Sequence, residues 1–380
     1  MSKGGYLPTL DGWRAVAIVM VLMNHDNIHH FAGFSNVWFH VNGGIGVELF
    51  FALSGILICT RLLAEDRARG SISLRSFYIR RVFRIQPVAL VYLGVLTLLM
   101  LTGVLDRGFG GVVFALLLVR NYLPMHQIPV DWYTGHFWAL AVEEHFYLLL
   151  PAILVTFRKY RLHFLLGLTT LVRVWAVFVH RFPRLQFGWD PVFHTDLAIL
   201  GILIAATMAV LLADPRIFNL SKKWLKPVPI LLLAMVICYA STVRFNSLTA
   251  LAKNCILPIL VISSTLHPTS LVGRILELRP IRFLGRISYS IYIWQSLFFV
   301  HNWLIPQPHS VLLTKIQESW MRYPVLAIVV LASYYLLEKP LIRIGHKLAK
   351  SADSGSDETR KSGRGTDVAK SNSALHRLVP

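Results

Sequence analysis

Cysteines and acidic residues are scarce in this 380-residue sequence. The three cysteines, Cys59, Cys238 and Cys255, lie in apolar runs, without the spacing of a disulfide framework or of a zinc, haem or iron–sulfur site. Charged residues make up 15% of the chain and hydrophobic residues 55%, whereas soluble domains have about 25% and about 45–50%. The composition excludes an ordinary globular protein and a disulfide-rich domain, and it predicts no metal site.

Hydrophobic residues are abundant enough for a polytopic membrane protein. A transmembrane helix needs about 20 apolar residues, so this apolar content supports about ten spans. A shorter stretch at 109–120 is better explained as a re-entrant or interfacial segment. We therefore predict an all-α membrane protein with about ten transmembrane helices, which lie on the runs 11–31, 44–64, 87–105, 137–157, 161–180, 192–212, 228–243, 250–266, 283–305 and 323–342.

Positive charge exceeds negative charge by 19, because 38 Lys and Arg stand against 19 Asp and Glu. In a soluble protein this excess would indicate nucleic acid as a partner, but here the basic residues occupy short loops between apolar runs. Such loops are typical of the cytoplasmic side of a membrane protein, so we expect membrane lipids and no nucleic acid as partners.

One orientation places all the large basic clusters on the cytoplasmic side, and it requires that 109–120 does not cross the membrane. We therefore predict a multi-pass protein of the bacterial inner (plasma) membrane with both termini in the cytoplasm. Residues 1–345 would form the transmembrane domain. Residues 346–380 are polar and low in aromatics, which predicts a disordered cytoplasmic tail.

Charged residues within the predicted spans indicate a functional cavity, because they are costly to place in a membrane. Arg14 and His25 lie eleven residues apart, on one helix face and about 16 Å apart along the axis. Counting the helical rise places the following residues in one layer about 10 Å below the outer surface: His25, Glu143, Glu144, Arg173 and Gln295.

This layer is suited to moving protons. A histidine can take a proton from a hydroxyl group, and a carboxylate at its other ring nitrogen would orient it, which suggests acyl transfer. The same residues could form the proton relay of a transporter, or could simply hold helices together. Composition does not separate these alternatives.

A second cluster, Arg80, Arg81 and Arg84, lies in the predicted cytoplasmic loop, with Arg80 and Arg84 on one helix face. The cluster could be topogenic and bind lipid headgroups. Its guanidinium groups are equally suited to forked contacts with the phosphates of a ligand.

Six stretches occur in a characteristic order: LDGWRAVAIVMVLMNH, GIGVELFFALSGILI, FYIRRVFRIQP, HFWALAVEEHFYLLLP, HTDLAILGILIA and LGRISYSIYIWQSLF, the last followed by LEKP. In this order they resemble the acyltransferase-3 family of membrane O-acyltransferases, which O-acetylate O-antigen, exopolysaccharide and Nod factors. The stretches run from residue 7 to about residue 345, through nearly all of the predicted folded chain.

The resemblance implies an enzyme that uses acyl-CoA, with acetyl-CoA as the first expectation, as a cytoplasmic co-substrate and has no permanently bound cofactor. It implies a carbohydrate or glycolipid hydroxyl group as acceptor. His25 and Glu143 would be catalytic, and Arg14, Arg80, Arg81 and Arg84 would bind the donor. The supporting residues would be Glu48, Ser54, Glu144, Arg173, Asp196, Tyr289, Tyr292 and Gln295.

Two positions depart from the family pattern. Glu48 stands where many members have Asp, and Gln295 stands where a His is common. Glutamine forms hydrogen bonds but does not titrate near neutrality, so a proton relay through residue 295 is in doubt. A proton-coupled transporter is the alternative function, although the sequence has no inverted repeat. Since some members carry an added extracytoplasmic domain, we expect this shorter chain to meet its acceptor through the membrane domain or a partner.

Overall fold

The computed structural model describes residues 7–26, 37–123, 132–182, 193–243, 246–299 and 308–353. Within these ranges the regular secondary structure is helical. In chain order the helices are α1 (Pro8–His25), α2 (Val37–Arg69), α3 (Leu74–Leu101), α4 (Phe109–Leu116), α5 (Trp132–Gly135), α6 (Phe137–Thr156), α7 (Arg161–Arg181), α8 (Thr195–Ala198), α9 (Leu200–Leu211), α10 (Pro215–Trp224), α11 (Pro227–Val243), α12 (Ser247–Leu266), α13 (Leu271–Leu276), α14 (Arg279–Phe298), α15 (Val311–Glu318), α16 (Arg322–Ala332) and α17 (339–353), with a π-helical segment at Ser333–Glu338.

Six helical segments of the described chain are long and apolar enough to cross a membrane: Gly44–Arg69, Leu74–Leu101, Trp132–Thr156, Arg161–Arg181, Ser247–Leu266 and Arg322–Asp353. A further pair consists of α8–α9 and α10, which are bent by 109° relative to each other. If this pair counts as one span, the described chain has up to seven spans. Over the described residues the regular structure is thus all-helical, and the number of long apolar helices is that of a multi-pass membrane protein.

The sequence-based count of about ten spans stays a prediction. Each of the ten runs falls at least partly on a helix, but three of these helices are not both long and apolar enough to count as spans. Helices α1 and α14 contain several charged and polar residues, and α11 is short.

The segment at 109–120 contains one short helix. Helix α4 has eight residues and rises about 12 Å, less than half of the hydrocarbon thickness. It ends before Leu118, which has a left-handed backbone (φ 59°), and a 3₁₀ turn follows at Arg120–Tyr122. Helix α4 is therefore too short to span a membrane by itself, and the re-entrant or interfacial placement of 109–120 stays a prediction.

The chain divides into two compact units, one made of residues 1–72 and 91–331 and the other of 73–90 and 332–380. In the first unit, α1 packs against both α2 and α14. A Cβ atom at Gly285 would lie 1.7 Å from the carbonyl oxygen of Asp11, so only glycine permits this approach of α14 to α1. Small residues serve the same purpose in many membrane helix pairs. This packing brings the helix of His25 beside that of Gln295.

In the second unit, the beginning of α3 packs against α17. The Ser76 hydroxyl donates to the carbonyl oxygen of Ala349 at 2.9 Å and also bonds to Asp353. A Cβ atom at Gly345 would lie 2.5 Å from that of Phe83. The sequence places the start of a disordered tail at residue 346, but the structure continues the helix to residue 353 because of this packing. Residues 354–380 lie outside the described residues.

Candidate functional site

His25 is the last residue of α1, and α14 supplies the partner of its ring. The ring Nδ1 lies 3.0 Å from Oε1 of Gln295, which is fully buried, although the two residues are 270 positions apart. The ring of Trp132 stands edge-on to the imidazole, with the centroids 5.5 Å apart. The predicted supporting residue Gln295 therefore lies in direct contact with the predicted catalytic histidine.

This contact bears on the tautomer of His25. A carbonyl oxygen only accepts hydrogen bonds, so with Oε1 of Gln295 facing the ring, Nδ1–H is the donor. The lone pair then lies on Nε2, the nitrogen that can take a proton from a hydroxyl group. The sequence predicts a carboxylate for the orienting role, and the structure has a neutral amide there.

Glu143 of α6 is bound by two hydroxyl groups. Ser54 Oγ donates to its Oε1 at 2.9 Å, and the Tyr147 hydroxyl lies 2.8 Å from its Oε2 and 2.9 Å from Ser54 Oγ. Tyr147 was not among the predicted residues, but it lies four positions after Glu143 on the same helix, a spacing that could have identified it. The direct pairing of His25 with Glu143 stays a prediction.

A second predicted carboxylate is Glu48 of α2. It forms an ion pair with Lys253 of α12, with 2.8 Å between Oε1 and Nζ. Its other oxygen, Oε2, is buried and has no hydrogen-bond partner within the described part of the chain. Lys253 was missed from the sequence, although a lysine within a predicted span is itself a signal. Glu48 and Lys253 thus add a half-buried ion pair between α2 and α12.

Two predicted residues have partners away from His25. Arg173, the second choice as a partner for Glu143, donates through Nη2 to the backbone oxygen of Ser247 at 2.9 Å and to its Oγ at 2.7 Å. Asp196 accepts from Trp175 Nε1 at 2.6 Å. Helical rise predicts the depth of Arg173 but not the direction of its side chain, and these contacts do not place it in the catalytic group.

Tyr292 connects α14 to the start of α6. Its buried hydroxyl donates to the carbonyl oxygen of His136 at 2.6 Å, and Nδ1 of that histidine lies 2.8 Å from Oγ of Ser296. His136 was missed, since a buried histidine at a helix start has no distinct sequence signal. The remaining predicted residues, Glu144 and Tyr289, are half-buried on α6 and α14.

The predicted donor-binding residues lie on two helices. Arg14 is on α1 and forms an ion pair of 3.3 Å with Asp11, and its position is about 16 Å along the axis from His25. Arg80, Arg81 and Arg84 are half-buried on the part of α3 that belongs to the second unit, and the Arg81 guanidinium lies 5.6 Å from the Phe77 ring centroid. Their role in donor binding stays a prediction. Over the described ranges, no group of three or more His, Cys, Asp or Glu could hold a metal ion.

The sequence is similar to known proteins. The sequence model of a family described as an acyltransferase domain matches residues 7–339. The peptidoglycan O-acetyltransferase OatA of Listeria monocytogenes is 28% identical over 318 residues, which cover 76% of this chain and 49% of that protein. The Bacillus subtilis protein YrhL, named for the same activity, is 29% identical over 380 residues, with 88% of this chain and 55% of that protein covered.

A Staphylococcus aureus protein named for O-acetyltransferase activity is 28% identical over 336 residues, which cover 80% of this chain and 53% of that protein. This chain thus spans about half the length of the curated relatives it matches. No solved structure matches it significantly. The resemblance inferred from the motifs is confirmed, and the chain belongs to the acyltransferase-3 family of acyl-transferring enzymes.

Proposed function

We propose that this chain is an O-acyltransferase of the bacterial inner membrane that moves an acyl group, acetyl in the first place, from acyl-CoA to a hydroxyl group of an extracytoplasmic or lipid-linked carbohydrate. The observation that carries the proposal is the pair of His25 and Gln295, which leaves the basic lone pair of the imidazole on Nε2. Peptidoglycan is the first acceptor to test, because two relatives are named for its O-acetylation.

In the proposed reaction, the acceptor hydroxyl oxygen attacks the thioester carbonyl carbon while His25 Nε2 takes the hydroxyl proton. The tetrahedral intermediate then collapses, the carbon–sulfur bond breaks, and the electron pair leaves with sulfur. The imidazolium returns its proton to the thiolate, so the products are an ester and CoA with a free thiol. Gln295 Oε1 accepts from Nδ1–H in both the neutral and the protonated ring.

The remaining residues would have two roles in this reaction: stabilising the imidazolium and binding the donor. Glu143, held by Ser54 and Tyr147, provides a fixed negative charge that would stabilise the imidazolium. Arg80 and Arg84 would bind the phosphates of acyl-CoA on the cytoplasmic side, since guanidinium groups form forked contacts with phosphate oxygens.

The proposed topology has both termini and the segment 61–84, which the structure forms from the end of α2 and the start of α3, in the cytoplasm and residues 121–135 outside. It can be tested with single cysteines at Ser73 and Gln127 and a thiol reagent that does not cross membranes. The two cysteines should react from opposite sides of the membrane. Reaction from the same side would mean that 109–120 crosses the membrane.

The function is tested by supplying radiolabelled acetyl-CoA to membranes that contain the protein and measuring alkali-labile label in peptidoglycan, polysaccharide and lipid fractions. His25→Ala should insert normally and transfer no label, because only the proton acceptor is removed. The exposed His163 of α7 offers a matched control, and His163→Ala should transfer label at the wild-type rate. Absence of a labelled acceptor with the wild-type protein, together with proton-coupled uptake of a solute, would favour the transporter instead.

A further inference from the structure

A buried arginine, Arg322 at the start of α16, is bound directly to Asp26, which follows His25, and is linked through Gln317 to the end of the helix that carries Gln295. We propose that Arg322 is a positioning residue, which acts through Asp26 and through the end of α14 to hold His25 against Gln295. The proposal rests on the proposed function, because it assigns Arg322 a role in the proton transfer at His25. Neither Arg322 nor Asp26 has a distinctive motif in the sequence.

On one side, Arg322 is bound to the residue that directly follows His25. Its Nη2 donates to Oδ1 of Asp26, and the hydroxyl of Tyr323 donates to Oδ2 of the same carboxylate. The side chains of Arg322 and Asp26 are 1% and 8% exposed. The backbone N–H of Asp26 also donates to the carbonyl oxygen of Leu22 at 2.9 Å, which ends α1. A shift of Asp26 would therefore move His25.

On the other side, Arg322 is linked to the end of α14 through Gln317 of α15. Its Nη1 lies 3.3 Å from the carbonyl oxygen of Gln317, and Nε2 of Gln317 donates to the carbonyl oxygen of Leu297 at 2.8 Å. Leu297 follows Gln295 by two positions. The guanidinium also lies 5.0 Å from the ring centroid of Phe299, whose N–H donates to the Gln295 carbonyl oxygen at 2.8 Å.

A third connection returns to His25 through Trp132. The carbonyl oxygen of Phe299 accepts from Trp132 Nε1 at 3.2 Å, and the ring of Trp132 packs edge-on against the imidazole. One guanidinium thus connects the residue after His25, the helix end after Gln295 and the aromatic residue beside His25. All these residues belong to the first unit.

The chemistry of the cluster favours positioning over stability. A buried ion pair adds little net stability compared with apolar residues of similar size, and its best-attested use is to specify one arrangement. Proton transfer is sensitive to such an arrangement, since a misplacement of about 1 Å can lower a rate by about 100-fold. Lysine would retain the charge of Arg322, but a single ammonium group has no planar fork for Asp26 and Gln317 together.

The test measures kcat and KM for acetyl-CoA in the full chain, with rates divided by the amount of folded protein. Arg322→Lys and Asp26→Asn should each lower kcat by about 10- to 100-fold and change KM by less than about twofold. The matched control is Arg161, whose Nη1 forms a buried ion pair with Asp66 at 2.8 Å in the same unit. Arg161→Lys should keep the wild-type kcat.

A double-variant measurement separates positioning from general damage. If Arg322 acts through the His25–Gln295 contact, Arg322→Lys should lower kcat by less than about threefold further in a Gln295→Leu background. Multiplication of the two effects would overturn the proposal, as would a wild-type kcat for Arg322→Lys and Asp26→Asn. If neither Arg322→Lys nor Asp26→Asn inserts into the membrane, Tyr323→Phe is measured instead, because it removes only one hydrogen bond to Asp26. An unchanged kcat for Tyr323→Phe would then refute the proposal. A wild-type rate for His25→Ala would instead refute the proposed function.

Discussion

The hydrogen bond between His25 Nδ1 and Gln295 Oε1 leads to a specific prediction for position 295. Gln295→Leu keeps the size of this fully buried side chain and removes the acceptor. An unsatisfied buried donor costs about 1–3 kcal/mol. If the tautomer used in the reaction bears this cost, kcat should fall by about 5- to 150-fold, at about 1.4 kcal/mol for each factor of ten.

Gln295→Glu is the matched variant, because it changes the same residue but keeps an oxygen that can orient the His25 ring. A carboxylate still accepts from Nδ1–H, and charge-assisted hydrogen bonds are about twice as strong as neutral ones. The kcat of Gln295→Glu should therefore lie within about tenfold of the wild-type value. Its carboxylate keeps the hydrogen bond to Nδ1–H and also stabilises the imidazolium. The assay is transfer of label from acetyl-CoA, with thermal unfolding in detergent as the control for folding. A wild-type kcat for Gln295→Leu would refute the assignment of His25 Nε2 as the base.

Three further predictions follow from the contacts described above. Glu143→Gln should lower kcat by about 10²–10⁴ because it removes the charge that we propose supports the imidazolium, and a wild-type rate would reduce Glu143 to a structural role. Arg80→Lys and Arg84→Lys should each raise the Kd for acetyl-CoA about tenfold, the value of one good charge-assisted contact, and unchanged affinity in both would return them to a topogenic role. Gly285→Ala should cost about 1–3 kcal/mol of stability, because its Cβ would lie 1.7 Å from the Asp11 carbonyl oxygen; an unchanged Tm in detergent would contradict the close packing of α1 and α14.

Apolar runs and helical rise predicted much of the fold but few of the contacts between side chains of different helices. Each predicted run falls at least partly on a helix because the length of an apolar segment is visible in the sequence. Helical rise also gives depth, which placed His25, Glu143 and Gln295 in one layer. The direction in which a side chain points depends on packing between helices. This is why His25 has Gln295 as its partner, while Arg173 turns to Ser247.

The residues missed from the sequence share a physical reason. Arg322 begins a helix that follows a polar stretch, so by sequence it resembles the basic residues that set topology. Its burial against Asp26 depends on a contact across 296 positions. Lys253 could have been found, since it lies within a predicted span, but its pairing with Glu48 depends on the packing of α12 against α2. Sequence therefore identified the costly residues more readily than their partners.

The neutral partner of His25 also bears on the choice between an enzyme and a transporter. A proton relay needs titratable groups on both sides of the imidazole, so that a proton arriving at one ring nitrogen leaves by the other. At Nδ1 the partner is the amide oxygen of Gln295, which neither gains nor loses a proton near neutrality. A proton taken up at Nε2 must then leave from Nε2, and in acyl transfer the departing thiolate receives it there. The arrangement thus favours a proton that is borrowed and returned within one reaction over a proton that crosses the membrane.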